Sequence, residues 1–239
     1  IRNVSGIKMS KSRGNVINPV ELVRKYGADT VRCYLMFLGP WDSGASWNSR
    51  GIEGLSRFFK GIWKLCHGKN GPENGNPEAD SSLRKALHQT LKKVTEDLRR
   101  FHFNTAIAAL MSFRNELRNQ EGKCSETVRK EVLQGMLLML APFAPHVAEE
   151  LWHLLNPAKE SVHLQPWPEY DEALAAEDLV TLVVQVNGKL RDRLEIPAGT
   201  EKQNAEEHAL ASAKVQSVLQ GKPVRKVIVV PDRLVNIVI

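Results

Sequence analysis

Two lysines near the start of the sequence lie three residues apart and are accompanied by serines. They belong to the segment Lys8–Ser12, which reads KMSKS, and Gly14 follows shortly after it. Ammonium, hydroxyl and backbone N–H groups on one short segment can all donate hydrogen bonds to a single anion. The composition therefore predicts a loop that binds phosphate groups, although a solvated basic loop without a ligand has the same composition.

A second set of cations lies in the last third of the chain. Three alternate along a predicted strand and three follow nearer the C-terminus: Lys189, Arg191 and Arg193, then Lys222, Arg225 and Lys226. Because side chains on a strand alternate between its two faces, we expect the first three on one face. The six cations could bind phosphates, and they could equally be the solvated side of an ordinary sheet.

Two histidines in the second half of the chain could be drawn as a metal site. His146 and His153 lie seven residues apart, close to Glu149 and Glu150. A helical zinc pair has its histidines four residues apart, and the second histidine at that spacing is missing here. We therefore expect these side chains to cap and pack helices, and we predict no metal site.

The cysteines and the apolar runs indicate where the protein works. Cys33, Cys66 and Cys124 are widely spaced, odd in number and never arranged as CxxC, which argues against a disulfide framework and a zinc site. No apolar run approaches the roughly 18 residues of a membrane span, and no signal-peptide pattern is present. We expect a protein of the reducing cytoplasm with no membrane contact.

The net charge of +6 is distributed unevenly. Residues 1–67 carry 11 Lys and Arg against four Asp and Glu, residues 68–180 carry 13 against 17, and residues 181–239 carry nine against six. Basic surface attracts polyanions, so a nucleic acid is expected to contact the two ends more than the middle.

The lysine-rich segment is followed by a clear helix start. Asn18 can act as N-cap, Pro19 suits the first helical position, and the helix should end at Tyr26-Gly27. We predict a second helix from Ala28 to about Leu38 and a third over Arg50–His67. The predicted buried positions of these two helices are Val31, Leu35, Leu38, Ile52, Leu55, Phe59, Ile62, Trp63 and Cys66.

The middle of the chain is predicted to be an antiparallel helical bundle. Residues 68–77 are rich in Gly, Asn and Pro and indicate a mobile loop between helices. Four amphipathic helices follow, over 81–101, 103–119, 127–140 and 146–155, and short turns between such helices favour antiparallel neighbours. The first of the four carries a stripe of Leu83, Leu87, Leu91, Val94 and Leu98.

The last sixty residues have the pattern of a small α+β unit. A strand over 181–187, the turn signal Asn187-Gly188 and a returning strand over 189–196 predict a β-hairpin. A helix in two pieces over 201–219 and strands over 222–230 and 234–239 complete it. The chain is therefore mainly α, with a small C-terminal α+β domain.

Three strings together resemble one family. KMSKSRGNVINP, the following ELVRKYGADTVRCYLMFLGP and the later VNGKLRDRLEIPAG are similar to class I aminoacyl-tRNA synthetases and, among them, to the bacterial type of the leucyl family. The resemblance covers essentially the whole chain. It implies three domains: residues 1–44 as the end of the catalytic domain with stem-contact helices, 45–179 as an anticodon-binding-like bundle, and 180–239 as the domain that docks on the tRNA elbow.

The resemblance also implies a chemistry for the lysine-rich segment. In that family this loop closes over ATP and stabilises the leaving pyrophosphate while the amino acid is adenylated. Lys8 and Lys11 would be catalytic, with Lys11 the first choice, within an ATP site formed by Lys8, Met9, Ser10, Lys11 and Ser12. ATP would be a substrate with Mg²⁺ in the full enzyme, and no cofactor is expected on this chain alone. The six C-terminal cations would bind tRNA(Leu).

Much of what the family needs is not in this sequence. The HIGH-type motif, the nucleotide-binding fold that carries it, the leucine pocket and the editing domain are absent, so we expect the chain to need an N-terminal catalytic and editing portion and to be inactive alone. An excised C-terminal piece and the small subunit of a split ligase both fit. A non-catalytic tRNA-binding module that retains the loop is the alternative.

Overall fold

The computed structural model describes residues 1–3, 6–40, 45–68, 71–176, 179–220 and 222–239. The chain divides into two compact units, Ile1–Ala175 and Ala176–Ile239. The helices of the first unit are α1 Pro19–Tyr26, α2 Ala28–Phe37, α3 Ser49–Cys66, α4 Pro77–Arg99, α5 Phe103–Asn119, α6 Glu126–Leu140 and α7 Pro145–Leu155. A helix-rich chain with a small C-terminal sheet is confirmed. The sequence also predicts a polar turn over residues 41–49, and its first four residues lie outside the described residues.

The first helix begins where the local signals place it. The Asn18 side chain accepts a hydrogen bond from the Val20 N–H at 3.0 Å, and Pro19 occupies the first helical position. Gly27 ends α1 with a φ of 87°, a left-handed conformation that glycine adopts without strain. This sharp break lets α2 begin at once in a new direction.

One large apolar cluster joins α2 to α7. The stripe predicted for α4 is buried at Leu83, Leu87, Leu91 and Val94, and Leu98 is partly buried against it. Two predicted core positions are wrong, because Trp63 is 43% exposed and Leu35 is 42% exposed. The buried face of α3 is centred on other positions, and Trp63 lies at its border, where its ring stacks on the His67 ring at 4.8 Å.

Of the segment predicted as a loop, residues 68 and 71–76 are described and form neither helix nor strand, and they contact the start of α6. The Gly71 N–H donates to Glu126 Oε2 at 2.7 Å, and a Cβ on Gly75 would lie 2.0 Å from the Ser125 nitrogen. The backbone of the segment therefore lies directly against the start of α6. The mobility expected of this loop stays a prediction; its described glycines permit the close packing seen here.

Cys33, Cys66 and Cys124 are buried, and none of them forms a disulfide bond. Burial raises the pKa of the Cys66 thiol to about 12, although the nearby Arg129 acts in the opposite direction. Burial also raises the pKa of Cys33 and of Cys124. Among the helices that are described, none is long and apolar enough to cross a membrane.

The second unit is a four-stranded sheet with two helices. Its elements are β1 Leu179–Val186, β2 Lys189–Pro197, α8 Lys202–Ala211, α9 Ala213–Leu219, β3 Lys226–Val230 and β4 Leu234–Val238. The strand order is β2-β1-β4-β3, with β1 and β4 parallel. The predicted hairpin is confirmed, since Asn187 and Gly188 both have positive φ, as a tight two-residue turn requires. β3 starts later than predicted because Pro223 has no N–H for a ladder.

Candidate phosphate-binding sites

The KMSKS segment, Lys8–Ser12, begins beside the first residues of the chain. Arg2 forms an antiparallel bridge with Lys8 and a parallel bridge with Ser46. The Met9 N–H donates to the Ile1 carbonyl at 3.2 Å. The start of the segment is therefore held by backbone bonds to neighbouring extended chain.

The side chain of Asn15 closes the segment from the other side. Its Oδ1 accepts from the Ser10 N–H at 2.9 Å, and its Nδ2 donates to the Lys8 carbonyl at 3.2 Å. One amide thus bonds the backbone on both sides of Met9. Sequence reasoning did not single out Asn15, although a side chain that binds the backbone of a nearby turn is a common role of asparagine.

The second lysine lies on a tight turn. Lys11–Arg13 forms one 3₁₀ turn, and Gly14 ends it with a φ of 63° while its N–H donates to the Lys11 carbonyl at 3.1 Å. The hydroxyls of Ser10 and Ser12 are 3.2 Å apart. This turn brings the Lys11 backbone and both serine hydroxyls into a compact group of hydrogen-bonding atoms.

The five side chains of the segment differ in their surroundings. Lys8, Lys11 and Ser12 are exposed, whereas Met9 and Ser10 are half-buried. Met9 packs against the small apolar cluster of Val31, Tyr34, Trp47 and Ile52. Among the residues that the structure describes, neither lysine takes part in an ion pair. Met9 thus attaches the segment to the fold, and the two ammonium groups are available to an anion.

The magnesium ion that the resemblance implies does not fit this segment. Mg²⁺ is bound through oxygens, above all those of carboxylates and phosphates, and Lys8–Ser12 contains no carboxylate. No group of three or more His, Cys, Asp or Glu in the described ranges could hold a metal ion. The donors of the segment suit the phosphate oxygens themselves.

The string YGADTVRC, which follows the segment, attaches α2 to the turn between α6 and α7. The buried Asp29 carboxylate accepts from the Val147 N–H at 2.7 Å and bonds His146 Nδ1 at 2.8 Å. Arg32 Nη2 donates to the Pro142 carbonyl at 3.2 Å. Ala144, the N-cap of α7, has no side chain that could cap the helix, so Asp29 supplies the cap through the Val147 N–H, 118 residues away in the sequence.

The expectation that His146 and His153 cap and pack helices is wrong, because their side chains are 80% and 50% exposed and each bonds a carboxylate instead. His153 Nε2 bonds Glu149 Oε1 at 3.0 Å, and Glu149 also accepts from Ser161 Oγ and the Val162 N–H. Burial opposes the ionised form of Glu149, but these three hydrogen bonds hold its pKa below the usual value. Each histidine therefore has a carboxylate partner of its own.

The hairpin of the second unit contains an extra residue. Val184 pairs with Asp192, but the next residue, Gln185, pairs with Leu190. Arg191 therefore has no partner of its own on β1 and forms a β-bulge. A bulge interrupts the two-residue alternation that a sequence pattern assumes.

The bulge separates cations that were expected on one face. Residues paired across strands share a face. Lys189 pairs with Val186, which is buried in the core beneath α8 and α9, whereas Arg193 pairs with Val183 on the opposite face. The expectation that Lys189, Arg191 and Arg193 share one face is therefore wrong for Lys189, because the register shifts between them.

The two groups of cations lie at opposite edges of the sheet. β2 and β3 are its edge strands, so roughly 14 Å separates them at the usual spacing of neighbouring strands. Lys226 begins β3, and Lys222 and Arg225 precede it. All six cations are exposed, but they border a sheet and do not form one compact cluster.

The Asp192 carboxylate lies between Arg191 and Arg193 in the sequence, but other groups compensate most of its negative charge. Its carboxylate accepts from Lys214 Nζ at 2.7 Å, Ser212 Oγ at 2.6 Å and the Arg193 N–H at 2.9 Å. These bonds, the one from Lys214 first, lower the pKa of Asp192 to about 2. The arginines on either side of Asp192 are therefore not its ion-pair partners.

Two protein-family models match this chain, one at its N-terminus and one over its middle. Residues 80–206 match the anticodon-binding domain of tRNA ligase, and residues 1–47 match the class I tRNA synthetases (I, L, M and V). The leucine–tRNA ligase of Dehalococcoides mccartyi is 48% identical over 234 residues, which cover 97% of this chain and 29% of that protein. The leucine–tRNA ligase of Rubrobacter xylanophilus is 50% identical over 235 residues, covering 98% and 28%.

A solved structure supports the same assignment. LeuRS of Agrobacterium radiobacter, in a ternary complex with tRNA and LeuAMS, has a TM-score of 0.69 at 35% identity, covering 99% of this chain and 31% of that one. The chain therefore belongs to the class I tRNA ligases that carry the anticodon-binding domain. Within that class it matches the C-terminal part of leucine–tRNA ligases, and it spans 28–29% of the length of the relatives named above.

Proposed function

We propose that this chain supplies the KMSKS loop and the tRNA-binding domains of a leucine–tRNA ligase. In the adenylation step, the leucine carboxylate attacks the α-phosphorus of ATP, and the bond from phosphorus to the pyrophosphate oxygen breaks. Negative charge then develops on the leaving pyrophosphate. The observation that carries the proposal is the pair of exposed lysines, Lys8 and Lys11, on one short segment attached to the fold through Met9.

Lys11 is the residue that we expect to act on the leaving group. It begins the tight turn ended by Gly14, and its ammonium group is exposed. Lys8 adds a second ammonium, and Ser10 and Ser12 add hydroxyl donors. Donors that reach the phosphates as charge develops favour the transition state over bound ATP, and that difference accelerates the step.

An N-terminal catalytic and editing portion is the partner that this function requires. Several apolar side chains among the first 23 residues are 40–54% exposed, namely Ile1, Ile7, Val16, Val20 and Val23. Large exposed apolar patches mark interfaces, and we propose that these side chains contribute to such a patch. We propose that the leucine pocket, the rest of the ATP site and the ligands of Mg²⁺ lie on that portion, which covers these side chains.

The second unit is proposed to bind tRNA(Leu). Arg191 and Arg193 on one edge of the sheet and Lys222, Arg225 and Lys226 at the other would contact separate phosphates. Lys189 lies on the other face of β2 and would contribute less. Replacing Arg191 and Arg193 by Ala should weaken tRNA binding and lower its salt dependence. An unaltered salt slope would make these arginines ordinary surface residues.

The finer organisation is also part of this proposal. We propose that residues 1–44 complete the catalytic domain, that residues 45–179 form an antiparallel bundle of the anticodon-binding type and that residues 180–239 form the tRNA-binding domain. The short connections between α4 and α5 and between α6 and α7 support the bundle. The buried free cysteines suit the reducing cytoplasm, where we propose that the ligase works.

Complementation tests the proposed function. The chain is combined with its N-terminal counterpart, and leucine-dependent ATP–pyrophosphate exchange is measured for each part and for the mixture. We expect exchange from the mixture and none from this chain alone. No exchange from the mixture, but exchange from a covalent fusion of the two parts, would favour an excised piece over a natural subunit. Full exchange by the counterpart alone would support the alternative, a non-catalytic tRNA-binding module.

A further inference from the structure

A small cavity between α3 and α5 is lined mainly by positively charged side chains. It lies in the first unit, and none of its lining residues belongs to the KMSKS segment. Its lining residues are Gly61, Lys64, Leu65, Arg114, Arg118 and Glu121. Three cations thus surround a space that contains a single carboxylate. Repulsion among like charges makes such a cluster costly in the absence of a ligand.

Arg114 lies directly against Gly61 of α3, which has no side chain to occupy that space. A Cβ on Gly61 would lie 3.2 Å from Cζ and Nη1 of Arg114, closer than ordinary van der Waals contact. The guanidinium also lies 5.9 Å from the centre of the Phe58 ring. The bare backbone of α3 and this buried ring therefore orient the guanidinium before any ligand binds.

One nitrogen of the Arg114 guanidinium has no hydrogen-bond acceptor, although it is buried. This nitrogen is Nε. Across the described residues, no carboxylate forms an ion pair with Arg114, although Glu121 lines the same cavity. Burial, and secondarily the charge of Arg118, lowers the pKa of Arg114. A buried donor without a partner is uncommon in folded proteins and needs an explanation.

We propose that this cavity binds one phosphate group. The planar guanidinium of Arg114 matches two phosphate oxygens, and Arg118 and Lys64 add a second fork and a mobile ammonium group. Their combined positive charge exceeds the single negative charge of Glu121, so a phosphate removes repulsion among the cations. A neutral ligand would leave that repulsion in place.

The phosphate can come from an RNA backbone or from a free phosphate or nucleotide. We favour the RNA backbone, and this choice of source rests on the proposed function, whereas the binding of phosphate does not. Phosphate contacts position a nucleic acid without reading its bases.

Titration of the 239-residue chain with inorganic phosphate, followed by calorimetry or ³¹P NMR, tests the site itself. Arg114→Met should raise the Kd for phosphate about tenfold or more, and Arg114→Lys should have a smaller effect. Arg118→Met alters an exposed side chain and keeps the test valid if Arg114→Met fails to fold. Arg99→Met is the matched control, because Arg99 is exposed at the end of α4, outside the cavity.

Binding of a tRNA transcript at several salt concentrations identifies the source. If an RNA phosphate occupies the cavity, Arg114→Met should reduce the slope of log K against log salt by about 1, and Arg99→Met should not. Loss of free phosphate binding with an unaltered slope would support the cavity as a site for a small phosphate compound. If neither Arg114→Met nor Arg118→Met changes either measurement, the proposal is overturned. A wild-type chain that binds phosphate but no tRNA would contradict the proposed function and leave this site standing.

Discussion

Two neighbouring stretches of the first unit are built in opposite ways. In the KMSKS segment none of the five side chains is buried, and its hydrogen bonds reach only nearby backbone and Asn15. In α2, which begins at Ala28, six of the ten residues are buried; Arg32 and Cys33 bond to the distant turn between α6 and α7, and Asp29 bonds to the first turn of α7. The family signature thus contains an exposed loop and an anchor.

The difference shows how one short sequence can hold a loop in place and leave its donors free. A loop that must close over a ligand gains from having few buried contacts, since each one would have to break during the movement. The helix that positions the loop has the opposite requirement. Met9 connects the two, because it packs on the cluster that contains Val31 and Tyr34 of α2.

Removing the carboxylate of the anchor should have the largest effect on stability. Asp29→Ala leaves the Val147 N–H without a partner and α7 without its cap, and we expect a loss of about 2 kcal/mol in the free energy of unfolding. Chemical denaturation of the chain measures this loss. Asp29→Asn, which keeps an acceptor, should cost less.

Glu21→Ala is the matched control for that experiment. Glu21 is an exposed acid in the first turn of α1, and we expect its removal to change the unfolding free energy by no more than about 0.5 kcal/mol. Equal losses for Asp29→Ala and Glu21→Ala would mean that α2 is no more of an anchor than α1.

The thiol of Cys33 reports on the same anchor without a mutation. Burial, and to a lesser extent the charge of Asp29, raises the pKa of Cys33, so little of the reactive thiolate exists at pH 8. We expect iodoacetamide to modify Cys33 at least about tenfold more slowly in the folded chain than in denaturant. Peptide mass spectrometry measures the rate. Rapid alkylation of the folded chain would show that α2 opens readily.

The smallest stability effect is expected in the loop. Asn15→Ala removes the bonds of a half-buried side chain to Lys8 and Ser10 in a segment without buried side chains, so the unfolding free energy should change by less than about 0.5 kcal/mol, while amide exchange at Ser10 becomes faster. For comparison, Asn18→Ala removes the cap of α1 and should lower the free energy of unfolding by about 1 kcal/mol. A loss from Asn15→Ala as large as that from Asp29→Ala would remove the distinction between loop and anchor.

Local chemistry accounts for the parts of the fold that the sequence predicted well. The Asn18 cap, the Asn187-Gly188 turn and the stripe along α4 all depend on residues a few positions apart, and their signals lie in the string itself. The positions of Trp63 and Leu35 were predicted wrongly for a related reason. A 3.6-residue period leaves the residues at the border of an apolar stripe undecided between core and surface.

Long-range contacts could not be read from the string. Nothing near Ala144 indicates that its helix is capped by Asp29, and nothing in the strand patterns predicts that β1 pairs parallel with β4. The bulge at Arg191 is set by the pairing of two strands, so the alternation rule placed Lys189 on the wrong face. The composition of the KMSKS segment is enough to predict the candidate loop. The hydrogen bonds of Asn15 and the cavity beside Arg114 can be seen only from three-dimensional contacts.

The most direct test of the account replaces Lys11 in the assembled ligase. Leucine-dependent ATP–pyrophosphate exchange is compared for the wild type, Lys11→Ala and the control Lys25→Ala, whose exposed lysine lies on α1. If Lys11 stabilises the leaving pyrophosphate, Lys11→Ala should slow exchange by about 10²–10³-fold, and Lys25→Ala should leave it unchanged. An unchanged exchange rate in Lys11→Ala, with a loss confined to aminoacyl transfer, would contradict the catalytic role of the loop.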